Sequence, residues 1–321
     1  MKLKLISVVT TCYNEELNIE DIYLQVRNVF EKFERYSYEH IFIDNASTDK
    51  TVSILKEITK KDKNIKIIVN TRNFGSNRSA NHAMLQAKGN AVVLIVADMQ
   101  EPPSMIPDLI KNWEKGFKIV IGIKTKSEEN SIIFGMRKFY YVMISKFADT
   151  EQIKNYTGFG LYDKEIIDIL RNLDDPYPYF RGFISEIGYE RAEIEFKQLK
   201  RRKGITKNNF FTMYDMAMLG FVNHSKVPLR MAAFIGFLTA IVSFLIAIIY
   251  SLRKLFFWET FQLGVAPLVI GVFFFAAVQL FFIGIIGEYI GAIFTQVKNR
   301  PLVIEKERIN FGPELSDDDN S

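Results

Sequence analysis

Two stretches of this chain carry no charged side chain, Met231–Leu252 and Thr260–Gly287. A helix needs about 20 apolar residues to cross a hydrocarbon core of about 30 Å, and both stretches reach that length. Helices of soluble proteins rarely run so far without a charged face. The pair is read as two transmembrane helices, 231–252 and 266–287, joined by a short loop. Lys226 and Arg230 precede the first span, and Lys298, Arg300, Lys306 and Arg308 follow the second. The connection holds Arg253 and Lys254 against Glu259. Positive charge at both outer flanks assigns both chain ends to the cytoplasmic side of a cell (inner) membrane, in a multi-pass arrangement.

The remaining composition narrows the chemistry. Met1-Lys2-Leu3-Lys4 leads straight into a strand-like run, so no cleaved secretion signal is expected. A single cysteine, Cys12, excludes an intramolecular disulfide and agrees with a reducing compartment. His40, His82 and His224 are scattered and suggest no zinc site. The net charge of +4 implies no nucleic-acid partner. Lys200, Arg201, Arg202, Lys203 and Lys207 nevertheless crowd ahead of the spans, either to meet anionic head groups or a lipid phosphate, or as a solvated face. An amphipathic helix over Asn209–Phe221 follows this cluster, suited to the membrane interface or to packing on the first domain.

Residues 3–123 alternate strand and helix. Strands are expected at 5–10, 41–44, 65–69, 90–97 and 117–123, with helices at 15–33, from Ser47 or Thr48 as cap to Lys61, and at 77–87. This alternation predicts a largely parallel α/β sheet. A further strand is expected over Ala192–Phe196. The layout is a domain over 1–200, a basic juxtamembrane segment over 201–230, the spans within 231–293, and a tail over 294–321, acidic and disordered from Glu314.

The stretch that opens at Asn90 runs continuously apolar over Ala91–Ala97, as in a strand buried on both faces, and it stops at Asp98, Gln100, Glu101 and a Pro-Pro pair. Ligands of open α/β sheets bind at the carboxyl ends of the strands. Two oxygen ligands one residue apart, Asp98 and Gln100, suit a Mg²⁺ or Mn²⁺ that also holds a diphosphate. Thr11, Tyr13, Asn14 and Glu15, then Asp44, Ser47 and Asp49, then Arg72, Asn73, Phe74 and Gly75 follow the first three strands on the same rim. No P-loop occurs, and no G-x-G-x-x-G follows the first strand.

Tyr13-Asn14-Glu15-Glu16, Asp44-Asn45-Ala46-Ser47-Thr48-Asp49, Arg72-Asn73-Phe74-Gly75 and Ala97-Asp98-Met99-Gln100-Glu101-Pro102-Pro103, ahead of two spans, resemble family 2 glycosyltransferases. The closest likeness is to the polyprenyl-phosphate group, relatives of dolichyl-phosphate mannose synthase and of bacterial undecaprenyl-phosphate enzymes. Gly287-Glu288-Tyr289-Ile290-Gly291 and Val297-Lys298-Asn299-Arg300-Pro301 extend it to the chain's end. The resemblance implies a GT-A (Rossmann-like) nucleotide-sugar-binding domain over 1–200. It implies that Thr11, Tyr13, Glu15, Asp44 and Ser47 hold the nucleoside, and that Asp98 and Gln100 hold the metal. Arg72 faces the diphosphate or only steadies its own loop. Lys124 and Arg137 are the cations expected at the acceptor phosphate, or are plain surface charges. Three departures stand out: Val96 replaces the usual first aspartate of Asp-x-Asp-x-Gln, Thr11 or Cys12 replaces a proline, and Thr157-Gly158-Phe159 lacks an acidic residue common in relatives.

The expected reaction is inverting transfer of a sugar from a nucleotide donor, a UDP-sugar first, to polyprenyl (undecaprenyl) phosphate at the cytoplasmic face. Such an acceptor is already anionic, so orientation outweighs proton removal. Self-association into a homo-oligomer is a further expectation for a two-span membrane enzyme. The rivals are a processive polysaccharide synthase, for which Gln198-Leu199-Lys200-Arg201-Arg202 lacks the expected tryptophan, and a catalytically silent membrane scaffold.

Overall fold

The computed structural model describes residues 3–125, 153–173, 175, 179–199, 227–256, 265–298 and 300–312. The expected Arg137, the basic cluster 200–207, the helix at 209–221 and the tail from Glu314 lie outside them. The described residues form two compact units, one holding residues up to 199 together with 298–312, the other the two long apolar helices.

The first unit is built on one eight-stranded sheet. Its strands are β1 (Lys4–Cys12), β2 (Tyr36–Asp44), β3 (Ile65–Asn70), β4 (Ala91–Val96), β5 (Ile119–Lys124), β6 (Tyr156–Asp163), β7 (Arg191–Phe196) and β8 (Glu305–Ile309), in the order β7-β5-β6-β4-β1-β2-β3-β8. β1 pairs parallel with β2 and β4, β2 with β3, and β5 with β7, while β6 and β8 run antiparallel to their neighbours. The parallel strands thus deliver all their carboxyl ends to one rim, and β6 and β8 start there.

The apolar run of β4 sits where its pattern demands, near the middle, with Val92, Val93 and Ile95 almost wholly buried. Each such side chain contributes about 1.5–3 kcal/mol. The helices α1 (Ile19–Glu31), α2 (Thr51–Lys61), α3 (Ser76–Leu85) and α4 (Ile106–Glu114) connect the parallel strands; α5 (Lys164–Leu173) and α6 (Phe180–Glu186) follow β6. α1 buries Ile19, Ile22, Tyr23, Val26 and Phe30, a 3–4 spacing that makes one apolar stripe. The cap expected at Ser47 or Thr48 is not formed: α2 starts at Thr51, whose N–H and hydroxyl donate to Asp49 Oδ1 at 3.0 and 2.6 Å. Ser47 is drawn away by Asp44.

The tail expected after the spans is instead part of the sheet, since β8 pairs with β3 from Ile67↔Ile309 to Asn70↔Glu305. Lys56 Nζ reaches Glu307 Oε2 at 2.6 Å across this edge.

At the opposite end from the rim, Glu39 is only 4% exposed. It accepts from Ser7 Oγ at 2.5 Å, from the Lys88 N–H at 2.8 Å and from Lys66 Nζ. Gly89 must lack a side chain here, because a Cβ would lie 2.7 Å from the Ser7 nitrogen. Removing one partner of a buried ion pair leaves an uncompensated charge. Lys66→Met should therefore cost about 3 kcal/mol in denaturant unfolding, and Glu39→Gln/Lys66→Met should recover most of it. Equal losses in the single and double variants would show that Lys66 does not neutralise Glu39.

The second unit contains α7 (Val227–Phe256) and α8 (Val265–Val297), both longer than the sequence pattern requires. Leu229–Tyr250 and Ile270–Val297 are long and apolar enough to cross a membrane. Their large side chains are exposed, among them Phe234, Phe273 and Phe281 at 65% or more. Among the described residues nothing lies within 4 Å of a Cβ placed on Gly236, Gly284 or Gly287, so these glycines mediate no close helix contact here.

Candidate active site

The turns after β1, β2 and β4 on the rim each place a residue other than glycine in the left-handed region: Asn14 (φ 54°), Ala46 (φ 63°) and Met99 (φ 61°). For alanine and methionine that conformation costs roughly 1–2 kcal/mol. Strain of this kind persists where surrounding bonds impose it. They do so here: the Asn14 N–H donates to Ser47 Oγ at 2.8 Å, and Thr48 N–H donates to Asn14 Oδ1 at 2.7 Å. The β1 and β2 turns are thereby locked together.

The predicted nucleoside residues gather on these turns. Asp44 is 0% exposed, and its Oδ2 accepts from the Ser47 N–H at 2.8 Å while its Oδ1 accepts from the Ser47 hydroxyl. Burial pushes its carboxyl above the usual range, against the pull of the Ser47 bonds. Glu15 is also buried, accepting from Asn18 Nδ2 at 2.6 Å. Both carboxylates point into the turn framework, and half-buried Tyr13 and Ser47 are nearer the surface. Thr11 is buried, with its carbonyl accepting from the Ala97 N–H at 3.2 Å. Neighbouring Cys12 lies beside Asp44, and burial together with that carboxylate raises its thiol far above the ordinary value.

After β3, the exposed Arg72 guanidinium lies 3.9 Å from the Phe74 ring centroid and donates to the Asn73 carbonyl at 3.0 Å. Phe74 is fixed through its N–H, which donates to buried Asn45 Oδ1 at 2.9 Å. Arg78 approaches the same ring from 5.8 Å. Gly75 supplies a φ of 88° at the start of α3, a conformation in which side chains are strained.

At the end of β4, Val96 stands opposite Thr11 in the β1 register and is 38% exposed, an apolar side chain on the rim. Half-buried Asp98 accepts from the Gln100 N–H at 3.1 Å. Gln100 Oε1 accepts from Gln198 Nε2 at 3.1 Å, and the Leu199 N–H donates to the Gln100 carbonyl at 3.2 Å. Gln198, which sequence reasoning does not place among the rim residues, thus joins the β4 turn to the chain beyond β7, and its only sequence signal is the weak Gln-x-x-Arg pattern. Glu101 turns inward at 5% exposure, accepting from Thr157 Oγ1 at 2.7 Å and from the Val96 N–H at 3.3 Å. Burial pushes its carboxyl up to about 7, the Thr157 bond opposes this, and the nearby Asp98 charge adds to it. Thr157, noted for not being acidic, is thus the partner of an internal acid.

Among the described residues no three histidine, cysteine or acidic side chains cluster as a metal site. Glu101 is withdrawn and Gln100 is engaged by Gln198, which leaves Asp98 as the rim carboxylate of this turn. One carboxylate fits a Mg²⁺ or Mn²⁺ that takes its other oxygens from a diphosphate and water, the habit of such ions at phosphate sites. Lys124, at the end of β5, lies two strands from β4, about 10 Å across the sheet, and its N–H donates to the Asn155 carbonyl at 3.2 Å.

Residues 7–170 match the Glycosyl transferase family 2 profile. The chain is 32% identical over 299 residues to the uncharacterized glycosyltransferase YkcC of Bacillus subtilis (strain 168), covering 93% of this chain and 92% of that protein. It is 31% identical to the SfII prophage-derived bactoprenol glucosyl transferase of Shigella flexneri, covering 96% and 99%. Among solved structures, glucosyl-3-phosphoglycerate synthase from Mycobacterium tuberculosis superposes with a TM-score of 0.48 at 15% identity, covering 68% of this chain and 76% of that one. The rim turns, the matched residues and the full-length relatives lead to one conclusion: the chain belongs to glycosyl transferase family 2, with a GT-A catalytic domain.

Proposed function

We propose that this enzyme transfers a sugar, with inversion, from a nucleotide-sugar, a UDP-sugar first, to polyprenyl phosphate at the cytoplasmic face of the cell membrane. The observation that carries the reading is the full-length match to a bactoprenol glucosyl transferase in a chain that joins the family 2 rim to two apolar helices long enough to span a membrane. Segments before and after those helices share one sheet, which agrees with an even number of crossings and both ends on one side.

In this reading Thr11, Tyr13, Glu15, Asp44 and Ser47 form the nucleoside end of the site, with the two carboxylates setting the turns. Arg72 faces the diphosphate, and Asp98, with the Gln100 amide beside it, would hold the metal. That ion, when bound, supplies positive charge to the departing nucleoside diphosphate. The acceptor phosphate oxygen forms the new bond to the anomeric carbon as the bond to the diphosphate oxygen breaks. A single displacement of this kind inverts the centre. Lys124 and Arg137 orient the acceptor; because it is already ionised, no side chain has to remove a proton.

The test is transfer from a panel of labelled UDP- and GDP-sugars to undecaprenyl phosphate in detergent, with Mn²⁺ and with a chelator. One donor should give a labelled, solvent-extractable lipid that the chelator suppresses. No lipid product from any donor, with the protein folded, would overturn the reading and favour the synthase or the scaffold.

A further inference from the structure

We infer that the segment following the second apolar helix, 301–309, is a positioning part of the donor site, acting on Arg72 through Arg78 and Phe74. The inference rests on the reading of Arg72 as a diphosphate-facing cation.

The segment approaches the sheet along the loop that carries Arg72. The Pro301 carbonyl accepts from Arg78 Nη2 at 2.7 Å. The Ile304 carbonyl accepts twice from Thr71, from its N–H at 2.9 Å and its hydroxyl at 3.1 Å. Between these two anchors Val303 is buried to 5% exposure. Glu305 then meets His82 Nε2 at 2.5 Å and receives Arg308 Nε and Nη2 at 2.8 and 2.6 Å. Thr71, Arg78 and His82 thus bracket residues 71–82, the loop and helix α3 that carry Arg72 and Phe74.

The bracket bears on Arg72 because Arg72 is an exposed side chain on an exposed loop. A long cation in that setting keeps rotamer entropy that must be lost on gripping a phosphate. The Phe74 ring limits that freedom, with Arg72 at 3.9 Å and Arg78 at 5.8 Å. Arg78 is half-buried and committed to Pro301, so it works as a strut and Arg72 as the grip. Glu305 is kept anionic: burial opposes its charge, but the Arg308 and His82 bonds outweigh that and hold its carboxyl down at about 2.

The experiment uses the full-length protein in detergent and two readouts. Arg78→Ala should raise the donor KM about tenfold with kcat within about twofold, the pattern of lost binding shared by ground and transition states. Arg78→Lys, which still reaches the Pro301 carbonyl, should recover part of the loss. In both Arg78→Ala and Glu305→Gln, amide exchange over 71–76 should speed up while that of β4 stays unchanged. A wild-type KM and an unaltered exchange pattern in Arg78→Ala would overturn the inference and leave the transferase reading intact. If wild-type enzyme transfers from no donor, the transferase reading fails first and the donor-site role falls with it.

Discussion

Asp98→Ala should lower transfer to lipid about a thousandfold, roughly 4 kcal/mol of transition-state stabilisation at 1.36 kcal/mol per decade. The size follows from how few oxygens the β4 turn offers. Val96 offers no oxygen, Glu101 is buried against Thr157, and the Gln100 amide is bonded to Gln198. Among the described residues of this turn Asp98 is then the one carboxylate facing the rim, and the neutral Gln100 amide beside it cannot replace its charge. Asp98→Asn keeps an oxygen to accept the Gln100 N–H, so its fold should be intact, yet without the charge its rate should be nearly as low. Metal titration of the wild type against both variants checks the assignment. Transfer within tenfold of wild type in Asp98→Ala would remove Asp98 from the metal.

Much of this architecture was legible because it depends on local pattern. The apolar run at 91–96 and the stripe on α1 announce their elements through burial on two faces and on one, and α7 and α8 through length and the absence of charge. What escaped depends on long-range pairing. β6 reads Tyr-Thr-Gly-Phe-Gly-Leu-Tyr-Asp, and its glycines suggest a turn. A Cβ at Gly160 would sit 2.5 Å from the Val120 carbonyl, so the glycine is there to let β5 approach. β8 reads Glu-Lys-Glu-Arg-Ile and resembles a solvated tail until Lys56 and His82 are found opposite its charges. In the site, the rim positions of Asp98, Arg72 and Tyr13 follow from strand order, whereas Ala46 and Met99 gave no local sign of their left-handed backbone. The misplaced cap has the same origin: Ser47 Oγ donates to Asp44 and accepts from the Asn14 N–H, so residues from two different turns occupy its hydroxyl together.

A buried histidine in the middle of the sheet should govern acid sensitivity. His40, on β2, is 0% exposed, with Val8 of β1 and Ile65 of β3 as its register partners. Its Nε2 lies 2.8 Å from Thr10 Oγ1, its ring packs 3.9 Å from that of Phe42, and its Nδ1 has no hydrogen-bond partner among the described residues. Burial lowers its pKa to about 3. In the unfolded chain the same group titrates near 6.5. Between those values the unfolded state binds a proton that the folded state refuses, so stability rises with pH across this window and is lost as pH falls from about 6.5 toward 3. One such group accounts for a swing of about 5 kcal/mol across the whole window. His40→Gln retains an amide for Thr10 but does not titrate, so its unfolding free energy should fall less steeply over the same range, while the two proteins run parallel above pH 7. Parallel curves down to pH 4 would mean that the sheet opens locally to let His40 ionise without global unfolding, and the acid limit of the fold would then belong to its carboxylates.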